Sequence, residues 1–83
     1  MIMHSKRDST ARFADSVGKL ALRERERLGL RQEEVALAAG VSTRVVHQIE
    51  NGKATSRLDS LIPVLDALGI ELEVHGRSSM AET

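Results

Sequence analysis

The chain has 83 residues, no cysteine, one aromatic residue (Phe13) and a formal net charge of zero, with 41% hydrophobic and 29% charged residues. That is one small domain, only marginally stable alone, with an aliphatic core and neither disulfides nor thiolate metal sites. Zero net charge provides no global pull toward nucleic acid or an anionic membrane, so any such binding must rest on a local patch.

Residues 1–9 are polar and unpatterned, and are expected to be a flexible N-terminus. They lack the apolar run of a signal peptide, and no stretch approaches the ~20 apolar residues of a membrane span, so a cytoplasmic protein without membrane contact is expected. The domain proper is expected over 10–69. From Phe13, the positions Val17, Leu20, Ala21, Glu24 and Leu28 step by three and four, which predicts a first helix capped by Ser9 or Thr10 and ended by Gly29. The run RERER at 23–27 reads as a solvated helix face. Gln32 to Ala39 (QEEVALAA) is rich in helix formers with Glu33 and Glu34 in its first turn, and Gly40 stops it.

Ser42 caps the next helix, whose Val45, Val46 and Ile49 share one face, and Asn51-Gly52 closes it. A fourth helix is expected over about 57–68, with an apolar stripe of Leu58, Leu61, Ile62, Leu65 and Leu68 and an S-x-x-D cap from Ser56 and Asp59. Pro63 fits poorly in its middle and comfortably only if the helix starts at Asp59 or Ser60. After Gly69 the period changes to two: Ile70, Leu72 and Val74 alternate with Glu71 and Glu73 over 70–75, which predicts a strand. No second strand is legible to pair with it. The same strand of a second copy would complete a small sheet, so Ile70, Leu72 and Val74 are expected to dimerise the chain. Residues 76–83 read as a flexible tail.

The stretch GVSTRVVHQIENG at 40–52 carries more polar residues than packing needs. Two short helices joined by a glycine turn form a helix-turn-helix, in which the second helix can enter the DNA major groove. Ala36 is small enough for close approach, Val35, Ala39, Val41, Val46 and Ile49 point inward, and Ser42, Thr43, Arg44, His47 and Gln48 point outward. Arg can grip guanine O6 and N7, Gln can grip adenine N6 and N7, and Thr offers a hydroxyl and a methyl group. Ser42 at a helix N-terminus suits a phosphate, and Lys53 and Arg57 extend a positive rim. A merely solvated helix face explains the same composition equally well.

The run LGLRQEEVALAAGVSTRVVHQIENGK at 28–53 resembles the helix-turn-helix of the Xre and lambdoid phage repressor family, including the Gln that opens its second helix and the I-E-N-G-K close. The following TSRLDSLIPVLDALGIELEV is similar to the HipB-type antitoxins of type II toxin-antitoxin systems. The resemblance implies a mainly α fold, a lambda-repressor-like bundle of four to five helices with one C-terminal β-strand forming an inter-subunit sheet. Position by position, it makes Gln32 and Ser42 phosphate contacts and Thr43, Arg44 and Gln48 base readers. His47 falls at an outward position that touches DNA, and Asn51 and Lys53 meet the DNA backbone. Arg25 and Glu50 match a charged pair tying the first helix to the recognition helix. Two departures stand out: Arg31 replaces the usual Thr, which removes the capping box with Glu34, and Ala54 replaces a common Pro.

The function implied is a homodimeric transcriptional repressor on a palindromic double-stranded DNA operator. The likeness to HipB adds a HipA-like serine/threonine kinase toxin as partner, neutralised by this chain, with the pair repressing its own operon. A stand-alone phage-type or restriction-modification controller is the alternative within the DNA-binding class, and an interaction module without DNA binding is the alternative outside it. No cofactor, metal site or enzymatic activity is expected: His4, His47 and His75 are scattered, and nothing spaces a nucleophile, base and orienter.

Overall fold

A computed structural model describes residues 6–77, in which four α-helices follow one another: α1 Lys6–Leu28, α2 Gln32–Ala39, α3 Thr43–Glu50 and α4 Leu58–Ala67. Each of the four stops in the same way. In α2, Gly40 takes φ +74, its N–H bonds to the Leu37 carbonyl, and the Val41 N–H reaches back to the Ala36 carbonyl at 3.0 Å. Gly29, Gly52 and Gly69 close α1, α3 and α4 with the same pair of bonds. This left-handed cap satisfies carbonyls that a helix end otherwise leaves open, and it is why glycine follows every helix.

The first helix begins at Lys6, ahead of the Ser9 or Thr10 cap expected from the sequence. No glycine or proline interrupts residues 6–12, and Asp8 in the first turn suits the positive end of the helix dipole, so the helix continues outward past the packed part. The fourth helix also starts differently. Ser56 Oγ donates to the Lys53 carbonyl at 3.0 Å and Asp59 pairs with Arg57, so the expected S-x-x-D cap does not form and Arg57 takes the N-cap position without a side-chain bond. Pro63 consequently lies beyond the first turn, inside the helix, where it removes one backbone hydrogen bond.

The core is aliphatic throughout. Val35 and Ala36 of α2, Val46 and Ile49 of α3, and Leu61, Val64, Leu65 and Leu68 of α4 and its end are buried together, with Ala21 of α1 closing one side. The working stripe of α4 thus includes Val64, while Leu58 is 68% exposed and Ile62 is also turned outward. Phe13, expected to start the apolar face of α1, is 53% exposed, because α1 packs through Val17, Gly18 and Ala21 instead. At Gly18 a side chain would collide with the carbonyl of Ile49 and sit 2.9 Å from that of Glu50, so the two helices cross with backbone nearly touching.

The expected C-terminal strand is not formed. Ile70 bonds its N–H to the Leu65 carbonyl and packs on the core, but residues 71–76 carry no ladder, and among the described residues there is no strand to pair with them. An extended segment without a partner is no sheet, and within one chain Leu72 is 43% and Val74 97% exposed. The described residues hold the four helices α1–α4. The expected tail at 76–83 lies outside the described residues beyond Arg77, as do residues 1–5 of the expected flexible N-terminus.

Candidate nucleic-acid interface

The glycine turn at Gly40 aims α3 across α2, and Ser42 fixes where α3 starts: its Oγ accepts the Val45 N–H at 3.2 Å. With Val46 and Ile49 in the core, the helical period puts Thr43, Arg44 and His47 on the exposed side, with Gln48 half-buried at its edge. Asn51 caps the far end by donating to the His47 carbonyl at 2.8 Å, and Lys53 follows, exposed. Among the described residues Arg44 and Lys53 form no ion pair. Two uncompensated cations therefore flank one row of hydrogen-bonding side chains.

A polar network behind that row holds α3 in place. Glu50 receives Arg25 Nε at 2.6 Å, Arg25 Nη2 at 3.1 Å and Gln32 Nε2 at 2.9 Å. Arg25 also donates from Nη1 to the Leu30 carbonyl at 2.8 Å. The Arg25 and Glu50 side chains are only 15% and 5% exposed, so the pair is shielded from solvent and salt. Hydrogen bonding to Glu50 raises the Arg25 pKa above its ordinary value against the opposing effect of desolvation. Three helices meet here: α1 through Arg25, α2 through Gln32 and α3 through Glu50. Gln32, which the family likeness makes a phosphate contact, turns its amide nitrogen to this carboxylate.

A family model described as helix-turn-helix matches residues 22–75, most of the described chain. The chain belongs to this helix-turn-helix family. An uncharacterized HTH-type transcriptional regulator, y4mF of Sinorhizobium fredii (strain NBRC 101917 / NGR234), is 34% identical over 58 residues, which span 70% of this chain and 76% of that protein. The matched region runs from the second half of α1, through the helix-turn-helix of α2 and α3, to the extended segment after α4.

Around this helix-turn-helix, three readings of the sequence change. Half of the capping box at α2 survives: the Glu34 carboxylate accepts the Arg31 backbone N–H at 2.8 Å, while the Arg31 side chain, which has only donors, returns nothing. Arg57 adds less to the positive rim than its charge alone suggests, because Asp59 accepts from its Nε and Nη2 at 2.9 and 2.7 Å. That guanidinium holds the Asp59 carboxyl below the usual carboxylate range. Similarly, the 23–27 run is not a uniform solvated face: Arg25 enters the network and Arg27 pairs with Glu24 at 2.9 Å. Gly18 was not legible as part of the site, although a glycine inside a helical pattern is itself a signal of close backbone approach. Ile70, Leu72 and Val74 lie well away in sequence, on the segment after α4, and are not brought into this network. Among the described residues no helix is long and apolar enough to cross a membrane, and no group of side chains could hold a metal ion.

Proposed function

We propose that the chain is a sequence-specific transcriptional repressor that places α3 in the major groove of an operator. The observation that carries this reading is the division of α3 into a buried face, Val46 and Ile49, and an exposed row of Thr43, Arg44 and His47 whose cation has no partner within the described residues. Arg44 and Gln48 have the donors and acceptors of purine edges, and Thr43 can meet a thymine methyl. Ser42, Asn51 and Lys53 meet the flanking phosphates and fix the register. The relationship to HTH-type regulators supports the same reading. A gel shift against duplexes from the chain's own promoter tests it: a shifted band competed by unlabelled promoter but not by scrambled DNA is expected. No shift at low salt would favour the interaction module that zero net charge suggests.

The repressor acts as a homodimer joined through Ile70, Leu72 and Val74. An extended segment with unpaired backbone and exposed Leu72 and Val74 is what a second copy would cover, strand to strand across a two-fold axis. Two copies of α3 would then read half-sites about 34 Å apart, or a multiple of that. The likeness of residues 55–74 to HipB-type antitoxins supports a second activity, neutralising a HipA-like kinase toxin and repressing the shared operon. If so, the adjacent reading frame encodes a kinase-like protein whose toxicity is relieved on co-expression, and full toxicity despite co-expression would leave the stand-alone repressor.

A further inference from the structure

Gln32 determines what His47 offers to the outside. Gln32 Nε2 donates to the Glu50 carboxylate at 2.9 Å, and since a carboxylate only accepts, the amide nitrogen's position is settled. That same nitrogen lies 3.5 Å from His47 Nδ1. Its second hydrogen is the one left for Nδ1, which can accept it only by presenting a lone pair. The Asn51 amide nitrogen, settled in turn by its bond to the His47 carbonyl, lies 3.5 Å from Nδ1 and 3.3 Å from Nε2. It adds a second donor beside the ring without choosing between the ring nitrogens. With Nδ1 as acceptor, the proton of the neutral imidazole sits on Nε2.

We propose that His47, held by Gln32 as its Nε2–H tautomer, reads a hydrogen-bond acceptor on the base it faces: guanine N7/O6, adenine N7 or thymine O4. Cytosine, whose major-groove edge presents only the N4 amino donor, would meet it donor to donor and be rejected. The inference rests on the DNA-binding reading and gives one position of the operator a defined chemistry. Gln32 is then a positioning residue. Both of its N–H groups are engaged within the chain, and its amide oxygen cannot bond a phosphate.

Two measurements test this separately. Long-range proton–nitrogen correlation spectra of the labelled full chain, without DNA at pH about 8.5 where an unperturbed imidazole is neutral, report the tautomer directly. Nε2–H is expected for the wild type and a mixture for Gln32→Leu. Selection from a randomised duplex pool then locates the position that His47→Ala relaxes, where guanine, adenine or thymine, and not cytosine, is expected. Replacing that purine with its 7-deaza analogue, or that thymine with an analogue lacking O4, should weaken binding about 3- to 10-fold. An Nδ1–H tautomer in the free chain overturns the inference, as does selection of a base presenting only a donor, or indifference to both analogues. If Gln32→Leu does not fold, the wild-type spectrum and the analogues decide alone. A pool that yields no selected duplex overturns the DNA-binding reading, and the base contact with it, while the spectrum still decides the tautomer.

Discussion

Glu50 accepts three hydrogen bonds with its side chain only 5% exposed, so each partner it loses leaves a charge with little water to replace it. Arg25→Met should destabilise the chain by about 3–5 kcal/mol in urea unfolding, and the double change Arg25→Met with Glu50→Leu should recover much of that, because no unpaired charge is left behind. A double variant as unstable as the single one would mean that the pair contributes through more than mutual compensation. Arg44 offers a contrast, being exposed and unpaired. Arg44→Ala should leave stability within ~0.5 kcal/mol while weakening operator binding by roughly 1–3 kcal/mol and relaxing one base position, as read by urea unfolding and by duplex selection. The residues of the network differ in how legible they were. Arg25 and Glu50 lie 25 positions apart, a spacing that no helical or strand period connects, so only the family likeness pointed to them. For Gln32 the family likeness implies a phosphate, and the bond to Glu50 is not legible, because sequence gives the type of a side chain but not which of two partners it turns toward.

At the level of elements, the helix stops were plain in the sequence, since glycine at 29, 40, 52 and 69 follows each apolar run and each takes the left-handed conformation. The starts were less legible. A cap depends on what else competes for the side chain, and at α4 the Lys53 carbonyl and Arg57 took Ser56 and Asp59. The crossing of α1 over α3 gives a sharp test. Alanine in place of Gly18 gains up to ~1 kcal/mol of helix propensity but drives a methyl group into the carbonyl of Ile49. The clash is with backbone and cannot be relieved by a rotamer change, so a net loss of about 1–3 kcal/mol is expected from urea unfolding. An increase in stability would show that α1 can shift along α3 without cost.

For the whole molecule, the question is what covers the apolar surface left outside a nine-residue core. A domain this small has little stability to spare, and Leu72, Val74 and Ile62 are exposed near one end of it. The alternating pattern at 70–74 was readable, yet a strand exists only with its partner, and the partner implied by the pattern is a second copy, which one chain cannot contain. If that copy binds, folding and association are linked, and the melting temperature must rise with protein concentration by mass action. Val74→Asp would place a charge on the paired face of each strand. Its melting temperature should be lower and independent of concentration, with sedimentation giving monomer where the wild type gives dimer. The same variant should still bind a single half-site weakly, because α3 and its supporting network do not involve residue 74. It should lose the tight binding to a full palindrome that two linked reading heads provide. Salt completes the argument: a Lys53→Gln dimer removes one phosphate contact per subunit, so the slope of log affinity against log salt should become shallower by about 2 on a palindrome and by about 1 on a half-site. Equal changes on both duplexes would mean that only one subunit of the dimer engages DNA.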